Sequence, residues 1–181
     1  MKKSAVFQFS SGGDIKAFAM LAACALALGG CVSNPIPVRY TGPVARIADS
    51  VNTTGSNGVN FFYLAKINGK KIGNSLTETA HDNAGRGFSM DPVRVGRDVP
   101  ARAAVFTITG RTHYAAPILE LMHTVYEVSG NVRFTPQPNH SYEVRGILSD
   151  AGSSVWIEDE TGAVMDKKIT SKHSALGIFQ K

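Results

Sequence analysis

The chain has 181 residues, 43% of them apolar and 18% charged, with two cysteines and a formal charge of +5. That length suits one ordinary domain, and two cysteines are too few for a disulfide framework. So small a charge gives no reason to invoke a nucleic-acid partner.

Residues 1–30 read as a leader. Lys2, Lys3 and Lys16 make it basic, Ala17 to Leu28 is an apolar run, and Gly29-Gly30 places small residues at the exit. This is the order of a secretory signal peptide, and the run is too short for a membrane span, which needs about 20 residues. Leu28-Gly29-Gly30-Cys31 resembles the lipobox of bacterial lipoproteins. The resemblance implies a diacylglycerol on the Cys31 thiol, cleavage before Cys31, and a fatty acid such as palmitate on the new amino group. Leu21-Ala22-Ala23-Cys24 fits the same pattern, but only Ala17 to Ala23 would precede that cut, so Cys31 is the expected attachment site. Cys24 then leaves with the leader and Cys31 carries lipid, so the folded part has no free thiol. The leader carries +2 of the charge, which leaves the mature chain at +3. About 150 residues remain, enough to bury about two thirds of the unfolded surface without metal or disulfide. Because Val32 follows the cysteine where aspartate would favour retention in the inner membrane, the resemblance implies the outer membrane of a Gram-negative bacterium, facing the periplasm.

Residues 31–43 contain Pro35, Pro37 and Pro43 and read as an extended tether, able to hold a body about 30–40 Å from the lipid head groups. Residues 44–169 carry the folded pattern. Pro43 to Asp49 alternates in its second half, Asn52 to Gly58 reads as a loop, and Val59 to Ile67 is rich in aromatic and branched residues, as in a half-buried strand. Asn68-Gly69 is a hairpin signal, since both central positions of a type I′ turn take positive φ; Ile67 and Ile72 should face the core and the flanking lysines water. Gly85, Gly87 and Pro92 argue against a long helix, so Thr77 to Gly87 reads as an extended surface loop and Phe88 to Val95 as a strand. Val105 to Thr109 is a compact strand. Ile118 to Val128 suits either element, and Thr124, Val125, Tyr126 and Val128 favour strand.

Further along, Val132-Arg133-Phe134 stops at Pro136 and Pro138, and Tyr142 to Arg145 alternates. Val155 to Glu158 turns through Asp159 to Gly162 into Ala163-Val164-Met165. Lys167 to Lys181 reads as a strand end plus a tail, the tail being residues 170–181. Seven to nine short strands with regular turn signals, and no helix outside the leader, predict an all-β fold, an antiparallel β-sandwich.

No constellation of catalytic residues stands out. His81, His113, His123, His140 and His173 show no zinc spacing, there is no Gly-x-Ser-x-Gly elbow, and Gly85-Arg86-Gly87 lacks the strand and helix of a phosphate loop. His81 and Asp82 with Asp91 could gather across a loop, though a solvated loop is the simpler reading. Arg94, Arg97 and Arg102, with Arg86 and Arg111, form a loose cationic stretch whose members should fall on opposite faces. Tyr114-Ala115-Ala116-Pro117 reads as a sheet-crossing corner, and Trp156 as a core residue of a sandwich.

Phe61 to Ile72, with the later run from Phe134-Thr135-Pro136 through Tyr142-Glu143-Val144 to Val155-Trp156-Ile157, resembles small β-sandwich envelope lipoproteins with PEGA-like folds. Their usual Pro-Gly turn is replaced here by Val99-Pro100-Ala101, and no functional residue carries over. The expectation is therefore a non-enzymatic interaction or structural module with no catalytic residue, cofactor or metal, held to the membrane through lipid on Cys31 and meeting an envelope protein or glycan. A periplasmic binder of a small ligand or glycan is the alternative. A polar pocket would favour the binder, an exposed apolar patch or free strand edge the interaction module, and clustered histidine and carboxylate groups an enzyme.

Overall fold

The computed structural model describes residues 34–36, 40–54 and 58–181; the expected signal peptide and Cys31 lie outside them. In chain order the elements are β1 (Val44–Ala48), β2 (Ser50–Thr54), β3 (Gly58–Ile67), β4 (Lys70–Lys71), α1 (Ser75–Asp82), β5 (Gly96–Pro100) and β6 (Ala104–Tyr114). There follow α2 (Pro117–Met122), β7 (Glu127–Phe134), β8 (Ser141–Ile147), β9 (Ser153–Asp159) and β10 (Ile169–Ser171). One sheet runs β10-β9-β8-β1-β5, and the other runs β2-β3-β6-β7 with β4 added to β3. The fold is an all-β sandwich. β1 pairs in parallel with β8, while the other ladders are antiparallel.

Alternation builds the core. Ala45 and Ile47, Tyr142 and Val144, and Val155 and Ile157 point inward from the first sheet, and Phe62, Leu64, Phe106, Ile108, Val128 and Val132 meet them from the second. Phe62 fits because strands opposite and beside it lack a side chain: a Cβ on Gly146 would lie 2.3 Å from its ring, and one on Gly110 3.0 Å. Among the described residues, the members of this cluster lie between Ala45 and Ile157, with Met165 and Ile169 packed against it. The Asn68-Gly69 turn has φ of 48° and 79°, with Ile72 buried and Lys70 and Lys71 exposed, as the type I′ reading requires.

A buried ion pair joins the layers where the chain crosses from β1 to β2. Asp49 accepts from the Leu64 and Ser75 backbone N–H groups at 3.0 and 2.8 Å and from both terminal nitrogens of Arg97 at 2.9 and 2.8 Å. The side chain of Arg97 is 8% exposed and that of Asp49 fully buried. A bidentate guanidinium and two amides satisfy the carboxylate, which is what a buried charge requires.

Several segments differ from what their sequence predicts. Asn52 to Thr54 belong to β2 rather than to a loop. Thr77 to Gly87 is not extended: α1 begins at an Asn74 cap whose side chain accepts from Thr77 N–H while Thr77 returns the bond. Phe88 to Val95 is not a strand, because α1 takes its donors. Val93 N–H binds Thr79 Oγ1 at 2.8 Å and Val95 N–H binds Ser75 Oγ at 2.9 Å. Ile118 to Val128 divides: Ile118 to Met122 lie in α2, started by Pro117, whereas Glu127 and Val128 are in β7, as the strand reading expects. Trp156 lies on the outer face, half-buried, because Val155 and Ile157 hold the inner one. The sheet also continues to Ser171 through β10, and beyond it Ser174 is buried and its carbonyl accepts from Glu127 N–H.

Candidate functional site

Among the described residues, His81, Asp82 and Asp91 do not gather into one acid-base cluster. His81 and Asp82 bond each other at 3.1 Å on the exposed end of α1, with 84% and 54% of their side chains in solvent. Asp91 contributes its backbone, which Asn83 clamps through both N–H and C=O at 2.9 Å. Gly85 and Gly87 take positive φ in the turns after α1, and no cluster of three metal-ligating groups exists among the described residues. The arginines do not form one patch. Arg97 is buried against Asp49, Arg111 pairs with Glu127, and Arg86, Arg94 and Arg102 are exposed.

A different histidine reaches a cleft. His113 ends the outer face of β6, and its Nδ1 lies 2.5 Å from Glu120 Oε1 on α2. The two border a space of about 420 Å³ whose other wall is Thr79 and Ala80 of α1, its C-cap Asn83, and Met90 from the following loop. No spacing rule marks the pair, because the Tyr114-Ala115-Ala116-Pro117 break brings them together. Tyr114 stacks on His123 with ring centroids 5.1 Å apart and donates to the Thr124 carbonyl at 3.2 Å. Burial, then the Glu120 charge, pushes the Tyr114 hydroxyl above its ordinary pKa. Of the two hydroxyls lining the cleft, that of Thr79 accepts from Val93 N–H and that of Tyr114 donates to the Thr124 carbonyl. In this geometry the pair of His113 and Glu120 acts as a polar fastening of α2 to the sheet.

Apolar exposure concentrates on the same end of the sandwich. No residue of α2 is buried, and Ile118, Leu121 and Met122 are 50, 54 and 73% exposed. Lys181 Nζ donates to the His123 carbonyl just after α2, which brings the C-terminal turn with exposed Ile178 and Phe179 to this pole. By contrast, the outer face of the first sheet is a surface of paired charges. Arg145 bridges Glu143 and Glu158, Arg46 meets Asp98, and Lys168 sits 4.0 Å over the Trp156 ring.

Compared with protein-family models, curated proteins and solved structures, the chain finds no match. What it does must be argued from its own residues.

Proposed function

We propose that this is a lipid-anchored cell-envelope protein, held to the outer membrane through Cys31 and facing the periplasm, that works as a non-enzymatic interaction module. The resemblance of Leu28-Gly29-Gly30-Cys31 to a lipobox supports the anchoring. The observation that carries the reading is α2. A six-residue helix with no buried residue and three exposed large apolar side chains contributes little to a core; exposed apolar surface gathered at one pole is the mark of a contact site.

A photo-crosslinking residue at Leu121 in intact envelopes tests this. One discrete adduct from position 121, absent when Lys168 carries the probe and lost with Met122→Asp, is the expected result. Recovery of the protein alone, under conditions that capture other envelope complexes, overturns the reading. The cleft beside His113 favours a small-ligand binder as second reading; a ligand that raises the melting temperature of the unmodified protein but not of Ala80→Trp would select it. For lipidation, a fatty-acid label should vanish with Cys31→Ala and persist with Cys24→Ala.

A further inference from the structure

The opposite pole, where β1 begins, is built differently. Eleven residues of β6, about 35 Å of strand, separate it from α2. It holds an apolar pocket of about 300 Å³ between the β3–β4 hairpin and the link from β5 to β6. The buried side chains of Ile72, Val99 and Phe106 form the floor, and Lys70, Arg102, Asn34 and Pro35 form the rim. Lys66 and Lys71 face each other across the hairpin ladder. None of Lys66, Lys70, Lys71 and Arg102 joins an ion pair among the described residues. Like charges directly opposite on a ladder destabilise it, so the hairpin's own stability does not account for the arrangement.

Chain length adds a second constraint. Asn34 already lines this pocket, and three residues of extended chain reach at most about 11 Å. Chain length alone would therefore keep an anchor at Cys31 within about 11 Å of Asn34, rather than the roughly 30–40 Å that a fully extended tether of residues 31–43 would allow. We propose, resting on the lipidation of Cys31, that this pole lies directly on an anionic phospholipid surface. Lys70, Lys71 and Arg102 contact head-group phosphates, Ile67 and the rim of the pocket meet the upper acyl region, and α2 points away from the membrane.

The test uses the lipidated protein in vesicles containing phosphatidylglycerol and lipid-borne quenchers, with a fluorophore on Ala103→Cys or Leu121→Cys. Quenching at position 103 and not at 121 is expected. In parallel, residues 31–181 carrying Cys31→Ser should bind the same vesicles without lipid and leave neutral phosphatidylcholine vesicles unbound. Lys70→Glu and Lys71→Glu should each lower that binding about fivefold. If the lipidated protein floats with its vesicles while position 103 stays unquenched, the membrane-facing pole is overturned and the anchor stands. If Cys31 takes no fatty acid, the anchor falls and the unlipidated chain decides: charge-dependent binding supports the membrane face, and no binding overturns it.

Discussion

The two short helices make an instructive pair. α1 is built into the fold: Ser75 and Thr79 are fully buried, their hydroxyls hold the return loop, and the Ser75 amide ends on Asp49. With Leu76 and Met90 it covers Val59, Phe61 and Tyr63 on the outer face of β3. α2 has the more apolar sequence but no fully buried residue; the side chain that fastens it is Glu120, on His113. A polar helix can thus be structural when its hydroxyls satisfy backbone donors, and an apolar helix can be surface when no sheet face remains for it.

Breaking the α1 side should have the largest effect. Asp49→Ala leaves Arg97 and two amides without a partner, and removing one member of a buried pair is worth about 3–5 kcal/mol. Urea unfolding should register that loss together with earlier exchange of the α1 amides; a change within the error of the measurement would show that water replaces the carboxylate.

Tyr63 probes the cover that α1 provides. Burial first, then the Glu127 charge, pushes its hydroxyl up to about 12. The folded state keeps a proton that the unfolded chain releases near its ordinary value of about 10. The resulting stability is whole below pH 10 and is lost as pH rises through 12, by an amount on the order of 2 kcal/mol. Tyrosinate absorbance should show a last-titrating residue that is absent in Tyr63→Phe and earlier in Leu76→Ala. Coincident titration of every tyrosine would mean that α1 does not seal this face.

The α2 side should yield the smallest change in stability. Glu120→Ala breaks a partly exposed pair worth about 0.5–1 kcal/mol, yet hydrogen exchange across Pro117–Met122 should accelerate far more than that global loss implies. Uniform acceleration over the whole sandwich would instead make α2 part of the cooperative core.

What could be read in advance follows from the range of the forces involved. The Asn68-Gly69 turn depends on two neighbouring backbone angles, and the alternation in Tyr142 to Arg145 and Val155 to Glu158 on a two-residue period, so both are written locally. α1 was legible only as the Asn74 and Thr77 cap, a signal submerged by the glycines that follow. Phe88 to Val95 looks like a strand because its alternative partners, Ser75 and Thr79, are distant in sequence. His113 and Glu120 carry no mark at all, since a chain reversal brings them together.

The sequence by itself determined that the body is a β-sandwich, where its tightest hairpin lies, and which cysteine to test for lipid. Tertiary structure decided that Arg97 is interior, that Trp156 is exterior, and that apolar and cationic groups gather at opposite poles. The reason is physical: turn angles and alternation are properties of adjacent residues, whereas the burial of a charge and the exposure of a helix depend on which remote groups compete for the same surface.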